Sequence, residues 1–137
     1  MSNYKPSSIA LMNASKKRNI QNAINRKTEK ENNSTQERIN RALKEVRFSN
    51  ASGSHCNCIR LNSSCSDEHN LEIVKRCMGY LKLGVPFYTE VIFNNGERAD
   101  ILLPSLDPPL IEEIMVTETK ERLEAKSYPF RIVEVRV

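Results

Sequence analysis

Apolar residues change their spacing along this chain, and each change marks a different kind of element. Through residue 47 they are sparse and spaced for helices. "SSIALMNASKKRNIQNAINRK" carries Ile9, Met12, Ile20 and Ile24, and "STQERINRALKEVRF" carries a tighter stripe of Ile39, Ala42, Leu43 and Val46. Ser34 or Thr35 can cap the second stretch, and Glu37 follows Ser34 at capping-box spacing. The polar "KTEKENNS" between them, residues 27–34, reads as a loop, so two helices are expected that dock weakly or order on a partner. Residues 49–66, "SNASGSHCNCIRLNSSCS", have no period and read as a linker or a metal-holding loop.

Helical spacing returns over residues 67–83, "DEHNLEIVKRCMGYLKL". Leu71, Val74, Met78 and Leu81 form the expected apolar face with Cys77 beside it, Ser66 or Asp67 is the cap, and Gly84 the stop. Beyond Gly84 the chain turns β-rich. Strands are expected over residues 86–93, 98–103, 110–118 and 128–137, with a helix over 119–126 before the last. Asn95-Gly96 makes the first two a hairpin, and "PSLDPP" turns the chain into the third. Three strands joined by short turns form an antiparallel meander. The fourth, returning through a helix, pairs parallel to the third by a right-handed crossover. The expected fold is α/β: an αβββαβ mixed sheet flanked by helices and preceded by a helical N-terminal arm. The expected divisions are an arm over 1–48, the loop over 49–66 and a folded domain over 67–137.

Charge gives the arm a role. Residues 1–47 hold 11 Lys/Arg against 4 Asp/Glu, whereas residues 48–137 hold 10 against 13. A basic arm on a mildly acidic body suits an anionic partner, and Lys16, Lys17, Arg18, Arg26, Lys27, Arg38, Arg41 and Lys44 are its candidate nucleic-acid contacts. Affinity gained through such contacts falls steeply with salt. No stretch approaches the roughly 20 apolar residues of a membrane span, and no secretory pattern opens the chain. A cytoplasmic protein without a membrane partner is expected.

The strands carry an unusual set of acids. Asp100 shares a face with Leu102 on the second strand, and Glu113 shares one with Met115 on the third, Glu112 taking the opposite side. Glu90 lies on the first strand, and Glu68, His69 and Glu72 open the preceding helix. Carboxylates gathered at one end of a sheet repel unless a cation neutralises them, and hard oxygen donors suit Mg²⁺ or Mn²⁺.

"YTEVIFNNGERADILL", "IEEIMVTETKERLEAK" and "PFRIVEVRV", following the helix in that order, resemble the PD-(D/E)XK nuclease superfamily, which includes Holliday-junction resolvases and restriction endonucleases. The resemblance spans residues 66–137. It implies that Asp100 and Glu113 are the two motif acids and hold Mg²⁺ (or Mn²⁺), with the Ile114 carbonyl a further ligand. It also implies that Glu68 is the helix acid, that Glu90 assists, and that DNA phosphodiesters are hydrolysed. One position departs from the pattern: the motif lysine, two residues after Glu113, is Met115. Lys120 and Lys126 on the next helix are the candidates for a migrated lysine, Lys120 being closer in sequence. The alternative is a non-catalytic nuclease-fold protein, a structural or nucleic-acid-binding component of a larger assembly such as a virus particle. A homodimer is compatible with either.

"HCNC", residues 55–58, raises a second metal reading. Cys56, Cys58, Cys65 and His69 or His55 supply the ligand types of a Zn²⁺ site, although C-x-C is not its usual spacing. His69 has a rival use beside the acids, and Cys77 fits a buried thiol.

Overall fold

The computed structural model describes residues 8–116 and 120–137, with side chains described for 16–116, 121, 122 and 124–137. The elements are α1 (Ser8–Leu43), α2 (Asp67–Leu83), β1 (Tyr88–Ile92), β2 (Arg98–Leu103), β3 (Leu110–Met115), α3 (Lys120–Glu124) and β4 (Arg131–Arg136). From α2 onward the order is αβββαβ. The sheet runs β1-β2-β3-β4, with β2 antiparallel to both β1 and β3, and β4 parallel to β3. This is the α/β mixed sheet that the sequence predicts.

The chain divides into two compact units between Gln36 and Glu37. From residue 8 through Gln36 it is one continuous helix, which corrects the loop expected over 27–34. That stretch is polar but holds neither Gly nor Pro, and threonine hydroxyls in and beside it find partners inside the helix. Thr28 and Thr35 donate through Oγ1 to the carbonyls of Ile24 and Glu31. Thr35 is therefore a mid-helix residue and not a cap. Ile20 and Ile24 are exposed; the side chains of Ile9 and Met12 lie outside the described residues.

The second unit takes in the last turns of α1 and residues 49–66 together with the sheet. Two apolar clusters form, one on each face of the sheet. On one face Val46 and Leu43 from the end of α1, with Tyr128 and Phe130, pack on Tyr88, Val91, Leu102 and Ile111. Phe93 joins them, edge-on to both aromatic rings at 6.0 Å. On the other face α2 lays Ile73 and Cys77 on Phe87, Ile101, Leu103 and Ile114. The α1 stripe Ile39, Ala42, Leu43, Val46 is thus core, as its spacing implies.

α2 meets the sheet with a different face from the expected one. His69, Ile73 and Cys77 are buried, while Leu71, Met78 and Leu81 are exposed. A polar contact sets this roll. Glu112, buried on β3, takes Arg76 Nη1 and the Tyr80 hydroxyl from α2, and Glu72 Oε1 holds Arg76 Nε at 3.1 Å. Turning the Leu71 face inward would strand that carboxylate without a partner. The predicted ends hold: Ser66 Oγ accepts the His69 N–H, and Gly84 closes the helix at φ +71°.

Residues 49–66 are not a free linker. They form a strap along the outer edge of β1. Gly53 N–H donates to Glu90 O, Asn57 N–H to Phe87 O and Phe87 N–H to Asn57 Oδ1, while Ser52 Oγ accepts from Ile92 N–H. Thr89 Oγ1 joins the strap twice, accepting from Arg60 N–H and donating to Cys58 O. Short polar side chains that looked like loop chemistry replace a fifth strand's backbone partners.

Candidate active site

β2 and β3 pair through Leu103–Leu110, Leu102–Ile111 and Ile101–Glu112, and there the pairing stops. The next two residues across the fork are Asp100 and Glu113. Because the strands part at this point, the Ile114 N–H is left for a side chain, and Asp100 Oδ2 accepts it at 2.8 Å. Asp100 Oδ1 lies 3.2 Å from His69 Nε2 on α2. The acid on the apolar strand is thus held at both oxygens.

Glu113 is only 2% exposed. It shares the cleft with Asp100, its Oε1 lies 2.7 Å from the Tyr128 hydroxyl, and its Oε2 lies 3.9 Å from Lys126 Nζ. Burial, and after it the negative charge of Asp100, push the Glu113 carboxyl up to about 8. The geometry agrees with a proton there. Tyr128 Oη is also 2.7 Å from the Arg98 carbonyl, which can only accept. One hydroxyl proton cannot serve both contacts, so a protonated Glu113 donating to Tyr128 satisfies all three groups.

Glu90 stands opposite Asp100 in register with its φ at +51°, a left-handed conformation that costs a non-glycine residue about 1 kcal/mol or more. The Gly53 bond to its carbonyl holds the kink. Its carboxylate is raised, first by burial and then by Asp100, and meets Arg98 Nη1 at 3.5 Å. A cleft of about 500 Å³ opens here, with Ser66, His69, Glu90, Asp100, Glu113 and Lys126 among its lining. Arg98 and Arg122 stand on its wall.

The fork therefore brings together Asp100, Glu113 and Glu90 as the sequence implies. It does not bring in Glu68, which is exposed on the first turn of α2 while the next residue, His69, reaches Asp100. Met115 is buried in the core, where no lysine ammonium could serve the cleft. Lys126, from the loop after α3, brings its Nζ to 3.9 Å from Glu113 Oε2; the side chain of Lys120 lies outside the described residues. Tyr128 carried no signal, because only the packing of this loop on Phe93 brings it to Glu113.

No protein-family model, curated protein or solved structure matches the chain.

The four zinc candidates occupy different settings. Cys56 and Cys58 are exposed on the strap, Cys65 lines the cleft, and His69 is engaged by Asp100. Among the described residues no group of three or more His, Cys, Asp or Glu is disposed to hold a metal ion. Asp100 and Glu113 are thus a two-carboxylate set. Mg²⁺ is commonly bound by one or two carboxylates, with waters and substrate phosphates completing its shell, so these residues fit it. Cys77 is inert, its thiol pushed up to about 12 by burial.

Of the arm's candidates, Lys16, Lys17, Arg18, Arg26 and Lys27 are exposed on α1. Arg41 and Lys44 are exposed on the second unit, whereas Arg38 is partly tied down, donating to Ser105 O at 3.2 Å.

The raised acids fix the sign of a pH effect. A carboxyl raised in the fold keeps its proton after the unfolded chain has lost its own, so stability falls as pH rises from about 4.5 toward 8. His69 acts in the same direction. Its hydrogen bond to Asp100 raises it, so its contribution is full below 6.5 and is lost above. Thermal melts without divalent cation should show Tm falling across that range. Glu113→Gln should flatten the slope, and an unchanged slope would refute the assignment of the proton to Glu113.

Proposed function

We propose that this chain is an endonuclease of PD-(D/E)XK type that hydrolyses DNA phosphodiesters with Mg²⁺ or Mn²⁺ in the cleft at the β2–β3 fork. One observation carries the reading: two carboxyl groups, Asp100 and Glu113, face one polar cleft across the fork with a lysine ammonium 3.9 Å from one of them. Such a pairing is unfavourable without a proton or a cation between the two. A bound Mg²⁺ or Mn²⁺ supplies charge neutralisation for the phosphodiester and lowers the pKa of water. Asp100 and Glu113 would hold it. His69 and the Ile114 N–H fix the Asp100 carboxylate, so its oxygens need little reorganisation. Lys126 is placed to orient the attacking water and to donate to a phosphate oxygen, the work of the absent motif lysine. Arg98 and Arg122 give the cleft a positive wall for flanking phosphates, and the exposed cations of α1 add contacts to the backbone.

The experiment is cleavage of linear, branched and single-stranded DNA with Mg²⁺ or Mn²⁺. Lys126→Ala should lower the rate about 100-fold with DNA binding retained. Cleavage that ignores Lys126 would refute its role. The buried Met115 favours a second reading, a nucleic-acid-binding component of a larger assembly. DNA binding with no cleavage of any substrate would decide for it.

A further inference from the structure

β4 ends the sheet, and among the described residues nothing pairs with its outer edge. The Val137 N–H donates to Met115 O at 3.1 Å, so odd-numbered residues of β4 turn their backbone groups toward β3. Backbone groups alternate along a strand, so Ile132, Glu134 and Arg136 turn theirs outward. Val133 and Val137 are apolar yet 44% and 55% exposed, on the same side as Val135, which is in the core. Glu134 and Arg136 share the opposite side and already pair at 3.1 Å.

We propose that β4 pairs antiparallel with β4 of a second copy of this chain across a two-fold axis through Val135. Only outward-facing residues can exchange hydrogen bonds, which leaves a few registers. Centring on Glu134 sets Glu134 against Glu134, and centring on Arg136 sets Arg136 against Arg136. Centring on Val135 sets Glu134 against Arg136 twice and makes an alternating ring of four charges. It also sets Val133 against Val137 twice and Val135 against itself. This register alone satisfies the edge, matches the charges and covers both exposed valines. Two four-stranded sheets then become one of eight strands. The inference is independent of the chemistry in the cleft.

Light scattering on the full chain tests it. The mass should rise from 15.7 kDa toward twice that value with concentration. Glu134→Arg should weaken association about 30-fold, because one change converts two attractive pairs into repulsive ones, and Arg136→Glu should do the same. The double variant Glu134→Arg/Arg136→Glu should restore the dimer, and thermal melts of all three variants below the association range read the loss and return of the pair within one chain separately. A mass of one chain at every concentration overturns the proposal. So does a dimer indifferent to both single reversals, or a double variant no tighter than either single.

Discussion

Asp100→Asn should cut Mg²⁺-dependent DNA cleavage about 1,000-fold and, in the same protein, raise stability above neutral pH. The loss is the removal of one of the two carboxylate charges that would neutralise the cation at the fork. The gain follows from the neighbours. Asp100 is among the causes that raise both Glu113 and Glu90, so neutralising it lets each ionise at lower pH. An amide keeps the shape, and its oxygen can still accept the Ile114 N–H. Opposite signs for activity and stability mark a residue held for function at a cost to the fold. The measurements are single-turnover cleavage and thermal unfolding at pH 8 without divalent cation. If Asp100→Asn is both active and less stable, Asp100 is only a structural partner of His69 and Ile114.

Gly53→Ala should be the most damaging small substitution in the strap, costing about 3 kcal/mol or more, or roughly 10 °C in Tm. A Cβ on Gly53 would lie 1.6 Å from the Thr89 carbonyl oxygen and 2.8 Å from its carbon. Neither is a flexible side-chain end, so the strap must lift from β1. Lifting breaks the bond to the Glu90 carbonyl that holds its left-handed kink. The variant should therefore also lose cleavage beyond its loss of folded protein, because Glu90 relaxes away from Asp100. Gly79→Ala is the control. Nothing lies within 4 Å of its added Cβ, and in mid-helix it should stabilise by about 1 kcal/mol. Equal Tm values for the two variants would refute the close approach.

The αβββαβ order could be read because its signals are local. Hairpin chemistry at Asn95-Gly96, the left-handed stop at Gly84 and strand-length apolar runs each act within a few residues. Phe93 N–H bonds Glu97 O across a three-residue loop, with Gly96 at φ +92°. The roll of α2 was not legible, because a buried Glu112 chose the face that carries Arg76 and Tyr80 against the more apolar one. The family resemblance pointed to Asp100 and Glu113, yet it named Glu68 where His69 reaches in. One residue along a helix is a rotation of about 100°, and only the packed sheet decides it. Lys126 and Tyr128 arrive from a loop whose path depends on Phe93, and no pattern in residues 119–130 encodes that contact. The strap was missed for a related reason. Its Ser, Asn and Gly suit a linker in isolation, and they became edge partners only because β1 offered unpaired groups.

The strap also determines how far this protein can assemble. Sheets propagate into fibrils when both borders can accept a strand. Here one border is sealed by Ser52, Gly53 and Asn57, so among the described residues a single open border remains, and the proposed two-fold pairing through Val135 would use it up. Under the proposed pairing, association would end at two copies, with no border left among the described residues from which a polymer could grow.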